Sequence, residues 1–295
     1  MPQSELLEQQ FLRKLERLAI ATRRVFVGSM KGERPSPRHG TSIEFADFRP
    51  YVPGDDFRRI DWPLYGRLEK LFLKLFVEEE DLFVYIALDC SRSMAFGEGE
   101  RKLTYAKKLA AALAYVALCN LDQVGLFAFS QGLGESFGPV RGRPSAPAAL
   151  AWLGALEPQG ETNVSHALRE LAFAVKNPGV LFVLSDLLDP RGYEEGLRAV
   201  VGRGFDVAVV HVLNPEELEP RVRGDLKLVD AETGQAREIT VTGRLLRRYR
   251  ERARAFCEGV RRWCTRHNVG YVLARTDSSL EDILFSSLRR QGFVR

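Results

Sequence analysis

The chain is poor in sulfur, in histidine and in any excess of one charge, and each shortage removes a class of function. Its four cysteines among 295 residues form no Cys-x-x-Cys pair and no zinc-ligand spacing. Cys257 and Cys264 lie seven apart on one helical pattern, which suits structural thiols better than a redox pair. The four histidines, His39, His166, His211 and His267, are scattered without ligand spacing. No apolar run approaches the length needed to cross a bilayer. The richest stretch, Leu109 to Cys119, is dominated by alanine and follows a lysine-bearing turn, the pattern of a buried helix. The opening residues, Met1 to Gln10, are polar and acidic, unlike a signal peptide. Together these features predict a cytoplasmic protein with no membrane span. The formal charge is only +4, and acidic residues are interleaved with the many arginines. That describes an ion-paired surface rather than a nucleic-acid footprint. There is no internal repeat and no Gly-rich phosphate loop ending in lysine.

What is present is enough apolar content, 45% of residues, for one large domain or one domain with a small companion. An opening helix is expected from about Ser4 to Arg24, with Leu7, Phe11, Leu15 and Leu18 on one stripe. Lys31 to His39 reads as a loop. Thr41 to Trp62 reads as an extended segment with a Pro53-Gly54 turn, and Lys70 to Glu79 alternates as a strand. From Asp81 the rhythm changes. Apolar runs at Leu82 to Leu88, Gln123 to Ser130, Val180 to Ser185, Asp206 to Val212 and Val269 to Leu273 alternate with helical patterns at 102–120, 146–156, 163–175 and 193–201. A short edge strand is expected at Glu135 to Val140. Continuous apolar strands separated by helices predict an α/β fold, a doubly wound and mostly parallel sheet covered on both faces. A hairpin is expected within Asp225 to Thr242, around Glu232-Thr233-Gly234, followed by an arginine-rich helix over 243–267. Its polar face also carries Glu251 and Glu258 and lacks interleaved aromatics, so it reads as solvated. The expected division is 1–80, an N-terminal extension packed on or beside the main domain, and 81–295, the main domain with its inserted hairpin.

Three separated pieces fall at the carboxyl ends of strands or in the loops beside them, where ligands of parallel sheets collect. Asp89-Cys90-Ser91-Arg92-Ser93 follows the first apolar strand. Gly160-Glu161-Thr162-Asn163 opens a helix. Ser185-Asp186 closes a later strand. Asp89, Ser91, Ser93, Thr162 and Asp186 make an all-oxygen donor set, the kind preferred by hard cations such as Mg²⁺ and Mn²⁺. Its hydroxyls are neutral, so the ion keeps Lewis acidity toward an outside carboxylate. Arg92, Glu161 and His166 are the neighbours expected to face a partner, although His166 also reads simply as a first-turn residue of a capped helix.

This Asp-x-Ser-x-Ser, Thr, Asp arrangement resembles the metal-ion-dependent adhesion site of von Willebrand factor A domains. The resemblance covers roughly Asp81 to Leu288 and implies a Rossmann-type fold. It further implies that Ser91, Ser93 and Thr162 bind the metal directly while Asp89 and Asp186 act directly or through water. Upstream, Arg49-Pro-Tyr51-Val-Pro53-Gly54-Asp55-Asp56-Phe-Arg58-Arg-Ile60-Asp61-Trp62 resembles the signature of the domain of unknown function 58 family, in which such a segment precedes a von Willebrand A-like domain. Many members of that family are encoded beside AAA+ ATPases of the MoxR group, which implies an adaptor or chaperone-linked role. Asp55, Asp56, Arg58, Arg59 and Asp61 read as an internally paired turn in preference to a second metal or catalytic cluster.

The leading expectation is therefore a non-enzymatic, metal-dependent protein-binding module with no catalytic residue, working with a MoxR-type ATPase or its client. One alternative is metal-dependent phosphoryl transfer with Asp89 as nucleophile. Against it, Ser91 stands where an aspartate-based phosphatase carries its second carboxylate. The other alternative is a scaffold with a vestigial site.

Overall fold

Runs of branched aliphatic residues too short for helices set the strands, and alanine- and leucine-rich stretches between them set the helices. A computed structural model describes the chain except residues 1–5, 24–43, 54, 56, 58–59, 78–81, 98–99 and 231–233. The elements in order are α1 (Gln9–Leu15), β1 (Glu44–Pro50), α2 (Trp62–Leu68), β2 (Phe72–Val77), β3 (Phe83–Asp89), α3 (Lys102–Cys119), β4 (Gln123–Phe129) and β5 (Leu133–Arg141). Then come α4 (Ala146–Ala155), α5 (Val164–Ala174), β6 (Val180–Ser185), α6 (Glu194–Gly202), β7 (Asp206–Leu213), α7 (Pro215–Leu218), β8 (Gly224–Val229), β9 (Ala236–Val241), α8 (Gly243–Arg266) and β10 (Gly270–Arg275).

The core is a six-stranded sheet in the order β10-β7-β6-β3-β4-β5. All neighbours are parallel except β5, which pairs antiparallel with β4 at one edge. The mixed α/β architecture and the mostly parallel sheet match the expectation from the apolar runs. Side chains alternate across it as the pleat demands. Tyr85, Ala87, Leu181, Val183, Val207 and Val209 join α5, α6 and the second half of α8 in one core. The alternate residues Ile86, Leu88, Phe182, Val210 and Val212 are equally buried and face the other way, toward α3. Fourteen of the eighteen residues of α3 are buried, so this helix forms the centre of the second layer.

The opening helix is shorter than its apolar stripe suggested, and its expected ends at Ser4 and Arg24 lie outside the described residues. α1 stops at Leu15 because the chain then extends to pair with the C-terminal tail. Ala19 donates to Arg295 O (3.1 Å), Ala21 to Phe293 O (2.9 Å) and Arg295 back to Ala19 O (3.0 Å). Asp206, wholly buried, accepts from the Arg23 amide (2.5 Å) and guanidinium (3.1 Å) and from the Thr22 hydroxyl (3.1 Å). The opening residues therefore group with Leu82–Arg295 in one compact unit, while 25–81 forms a second. That corrects the expected 1–80 division in one respect: the first helix belongs to the sheet domain.

In the smaller unit, β1 and β2 pair antiparallel. Asp55 accepts from Arg49 (2.8 Å) and from the Val52 amide (2.9 Å), and the guanidinium holds its carboxyl below the ordinary range. Asp61 accepts from the Leu64 amide (3.0 Å) as the N-cap of α2. Each of these two aspartates has a local structural partner, as a locking turn requires. Asp56, Arg58 and Arg59, and the Lys31 to His39 loop, lie outside the described residues.

The hairpin appears as β8 and β9, antiparallel, and runs into α8 through Thr242, whose hydroxyl caps the helix (3.3 Å). α7 and a helical turn over Asp282–Leu288 were not anticipated. No helix among the described residues is long and apolar enough to cross a membrane.

Candidate functional site

The register of β3 against β6 builds the site. Leu88 lies beside Leu184, so the last strand residues, Asp89 of β3 and Ser185 of β6, emerge side by side with Asp186 just beyond. The Ser185 hydroxyl donates to Asp89 Oδ2 (2.6 Å) and accepts from the Leu187 amide (2.9 Å). The other Asp89 oxygen accepts from the Ser91 amide (2.9 Å). These bonds turn the chain sharply into a short 3-10 turn, Arg92–Ala95, and bring Ser91 Oγ within 3.0 Å of Ser93 Oγ.

Two backbone bonds draw the third piece in. Arg92 donates to Gly160 O (3.1 Å) and Gln159 donates to Cys90 O (2.7 Å). Gly160 has φ +72°, a conformation that side chains rarely tolerate, which explains glycine at this close approach. Thr162 is fully buried two residues later, and its carbonyl accepts from the Arg191 guanidinium. Asn163 caps α5 through the His166 amide (3.1 Å). The five expected residues thus stand at the carboxyl ends of the central strands β3 and β6 or on loops tied to them. Asp89, Ser91, Thr162 and Asp186 are all wholly buried, while Ser93 is half-buried.

Of the expected partner-facing residues, Arg92 is exposed and Glu161 half-exposed. The His166 side chain is 48% exposed and lies 3.3 Å from Glu170 on the same helix. Glu170 in turn accepts from the Leu133 amide (2.7 Å), so His166 belongs to a surface pairing one turn away from Thr162.

Three residues of the site were not found from the sequence. Lys102, at the start of α3, is completely buried. Its ammonium donates to Asp186 Oδ2 (2.6 Å) and to Glu217 Oε1 (2.6 Å). Burial alone would lower its pKa, but the two carboxylates overcome that and hold it above the ordinary value. Glu217 closes a capping box with Asn214 on α7, a pattern readable in Asn214-Pro-Glu-Glu217. His211 is buried, and burial pushes its pKa down to about 4 against the pull of Asp186. It is neutral at pH 7. Its Nε2 faces Asp186 O (2.9 Å), an atom that only accepts, so Nε2 carries the proton. Nδ1 is then the acceptor toward the Tyr271 hydroxyl at 2.9 Å.

The electrostatics centre on Asp89. Burial, and then the nearby Asp186, push its pKa up to about 7, eased by the hydrogen bonds from Ser185 and Ser91. Lys102 engages Asp186, and among the described residues no cation pairs with Asp89. The donor set fits a small hard ion. The Ser91 and Ser93 hydroxyls are hydrogen-bonded to each other at 3.0 Å, a separation that also suits adjacent ligands of an octahedral Mg²⁺, which stand about 2.9 Å apart for bonds of 2.0–2.1 Å. Among the described residues no three His, Cys, Asp or Glu side chains gather as a metal cluster. The set here has only two carboxylates, its other donors being hydroxyls.

Residues 47–258 match the family described as protein of unknown function DUF58. The chain belongs to that family. Uncharacterized proteins of Mycobacterium bovis and Mycobacterium tuberculosis are each 28% identical to this DUF58 chain over 286 residues, covering 94% of it and 89% of the relative. An uncharacterized protein of Mycobacterium avium is 31% identical over 144 residues, 47% of this chain and 85% of that one. Among solved structures, the conserved hypothetical protein BatB from Bacteroides thetaiotaomicron has a TM-score of 0.46 at 19% identity, over 71% of this DUF58 chain and 98% of its own. The pilus adhesin SpaC from Lactobacillus rhamnosus GG has a TM-score of 0.43 at 12% identity, over 73% and 30%.

Proposed function

We propose that this DUF58 protein is a non-enzymatic protein-binding module of the von Willebrand factor A type. In this reading it holds Mg²⁺ or Mn²⁺ at an adhesion-type site and is completed by an acidic side chain of its partner. The single observation that carries the reading is the convergence of Asp89, Ser91, Ser93, Thr162 and Asp186 on adjoining loops, with the two serine hydroxyls at octahedral ligand spacing. Ser91, Ser93 and Thr162 would hold the ion directly. Both carboxylates already accept backbone amides, Asp89 from Ser91 and Asp186 from Leu188 (3.0 Å), which suits them to act through water. Neutral hydroxyl ligands leave the ion Lewis-acidic, and that is the chemistry it would supply: an affinity for an outside carboxylate. Arg92, exposed, and Glu161, half-exposed, would meet the rest of the partner. A MoxR-type AAA+ ATPase or its client is the partner that the family resemblance suggests, and a cytoplasmic setting goes with it.

The phosphoryl-transfer alternative gains nothing from the geometry. Both Asp89 oxygens already accept hydrogen bonds, a poor disposition for a nucleophile, and Ser91 stands where a second carboxylate would be needed.

The test is binding of a purified MoxR-type ATPase to the immobilised full chain in one Mg²⁺ buffer, comparing wild type with Ser91→Ala/Ser93→Ala. The wild type should bind and the variant lose at least tenfold in affinity. Equal binding by a folded variant would remove the metal from the interaction.

A further inference from the structure

The first half of α8 carries a row of like charges along one flank. Arg244, Arg248 and Arg252 recur at every fourth position, and all three are exposed. Residues four apart on a helix are neighbours, and like charges there are destabilising. Arg244 also stands in a first turn that contains no acidic residue, where the helix dipole disfavours a cation. Other arginines of this helix find relief within the protein: Arg254 pairs with Glu219 at 3.2 Å and Arg261 with Glu258 at 3.7 Å. Among the described residues no carboxylate pairs with Arg244, Arg248 or Arg252.

The same flank is apolar at its edge. Leu245 is 40% and Tyr249 is 44% exposed. On a 3.6-residue wheel both lie beside the arginine row, on the side toward the buried Val260 and Cys264. A ridge of three cations therefore borders a half-open hydrophobic strip.

We infer that this face of α8 is a docking surface for an acidic amphipathic helix of a protein partner, whose carboxylates pair with Arg244, Arg248 and Arg252 while its apolar edge covers Leu245 and Tyr249. Charge complementarity selects that occupant. Carboxylates on a partner helix at four-residue spacing repeat about every 6 Å, the same interval as the arginines. Nucleic acid fits less well, because a phosphate backbone carries no apolar edge to cover Leu245 and Tyr249. The surface is also wired to the sheet edge. The Tyr249 hydroxyl donates to Glu217 O (2.8 Å), and the Glu217 carboxylate holds Lys102, which holds Asp186. The inference does not rest on the metal reading and is tested without metal.

The experiment is fluorescence anisotropy of the full chain in chelator, with a labelled synthetic peptide carrying Glu at every fourth position and Leu along one side. The comparison probes are its Lys-for-Glu counterpart and a labelled single-stranded DNA. Wild type should bind the acidic peptide in preference to both, and more weakly as salt rises. Arg244→Glu/Arg248→Glu/Arg252→Glu should lose about tenfold or more, since three partly exposed pairs each contribute modestly. A control with the same charge change elsewhere, Arg203→Glu/Arg289→Glu/Arg290→Glu, should bind as wild type. If the reversed variant does not fold, Arg244→Gln/Arg248→Gln/Arg252→Gln replaces it and should lose most of the same affinity. The inference is overturned if the folded variant binds like wild type, if the control loses as much, or if DNA binds more tightly than the acidic peptide.

Discussion

Replacing Asp89 with asparagine should make the metal-free protein more stable, while removing its response to Mg²⁺. The Asp89 carboxyl is wholly buried, and burial together with Asp186 raises its pKa from 3.8 to about 7. A native pKa above the unfolded one means that the folded state binds the extra proton. The associated stability is complete below about pH 4 and is lost as pH rises through 7. Ionising this buried carboxyl above pH 7 gives up stability on the order of a few kcal/mol. The amide of the Asp89→Asn variant would keep the acceptor for the Ser91 amide and lose the hydrogen bond donated by Ser185, at a cost of about 1 kcal/mol. The net expectation is a gain of about 2–3 kcal/mol at pH 8 in chelator, a rise in Tm of about 5–10 °C. At pH 4 the two proteins should be alike apart from that lost hydrogen bond. His211, whose pKa burial lowers to about 4, works in the opposite sense. Between pH 6.5 and 4 the unfolded chain takes up its proton first, so stability falls as pH falls. It does so in both proteins, so the difference between them isolates Asp89. Saturating Mg²⁺ should then stabilise only the wild type, by about 2.7 kcal/mol at one hundred times Kd, and close the gap. Thermal and urea denaturation from pH 4 to 9, with and without Mg²⁺, read all of this. An asparagine variant less stable than wild type at pH 8 in chelator would refute the reasoning.

Three further outcomes follow from the packing. Lys102→Met should cost about 3–5 kcal/mol in urea denaturation, because it strands the Asp186 and Glu217 carboxylates in the interior; adding Glu217→Gln should recover part of the loss, and strict additivity would contradict a shared network. Gly196→Ala should destabilise by about 1–3 kcal/mol, since its Cβ would stand 2.7 Å from Ser165 Cα where α5 meets α6; an unchanged Tm would mean that this contact relaxes freely. Arg23→Ala should cost about 1–3 kcal/mol by leaving the buried Asp206 short of donors, and hydrogen exchange should quicken at Ala19 and Ala21, the amides that pair with the tail.

The sheet was legible in the sequence because buried parallel strands are continuous apolar runs. Val180 to Ser185 was read with the bounds the structure has. That the Asp89, Gly160 and Ser185 segments meet was legible because they lie at the carboxyl ends of strands or in the loops beside them. What stayed hidden depended on contacts distant in the chain. Nothing local in Ala19 to Ala21 announces that it pairs with Phe293 to Arg295, so the apolar stripe runs on past the residue where the helix ends. Lys102 sits at a helix start, where a lone lysine reads as solvated. Only the meeting of α3 with Asp186 and the α7 capping box buries it. The turn at Asp282–Leu288 buries Ile283, Leu284 and Leu288, but serines and an arginine-rich end mask so short a pattern.

The central claim is that Asp89, Ser91, Ser93, Thr162 and Asp186 form a divalent-cation site, and Mn²⁺ reads it most directly. Titrating Mn²⁺ into the full chain at pH 8 and following free Mn²⁺ by electron paramagnetic resonance should show one site per chain, emptied by excess Mg²⁺ and weakened at least tenfold by Ser91→Ala/Ser93→Ala. Unchanged Mn²⁺ affinity in a folded variant, or a wild type that leaves millimolar Mn²⁺ free, would contradict it.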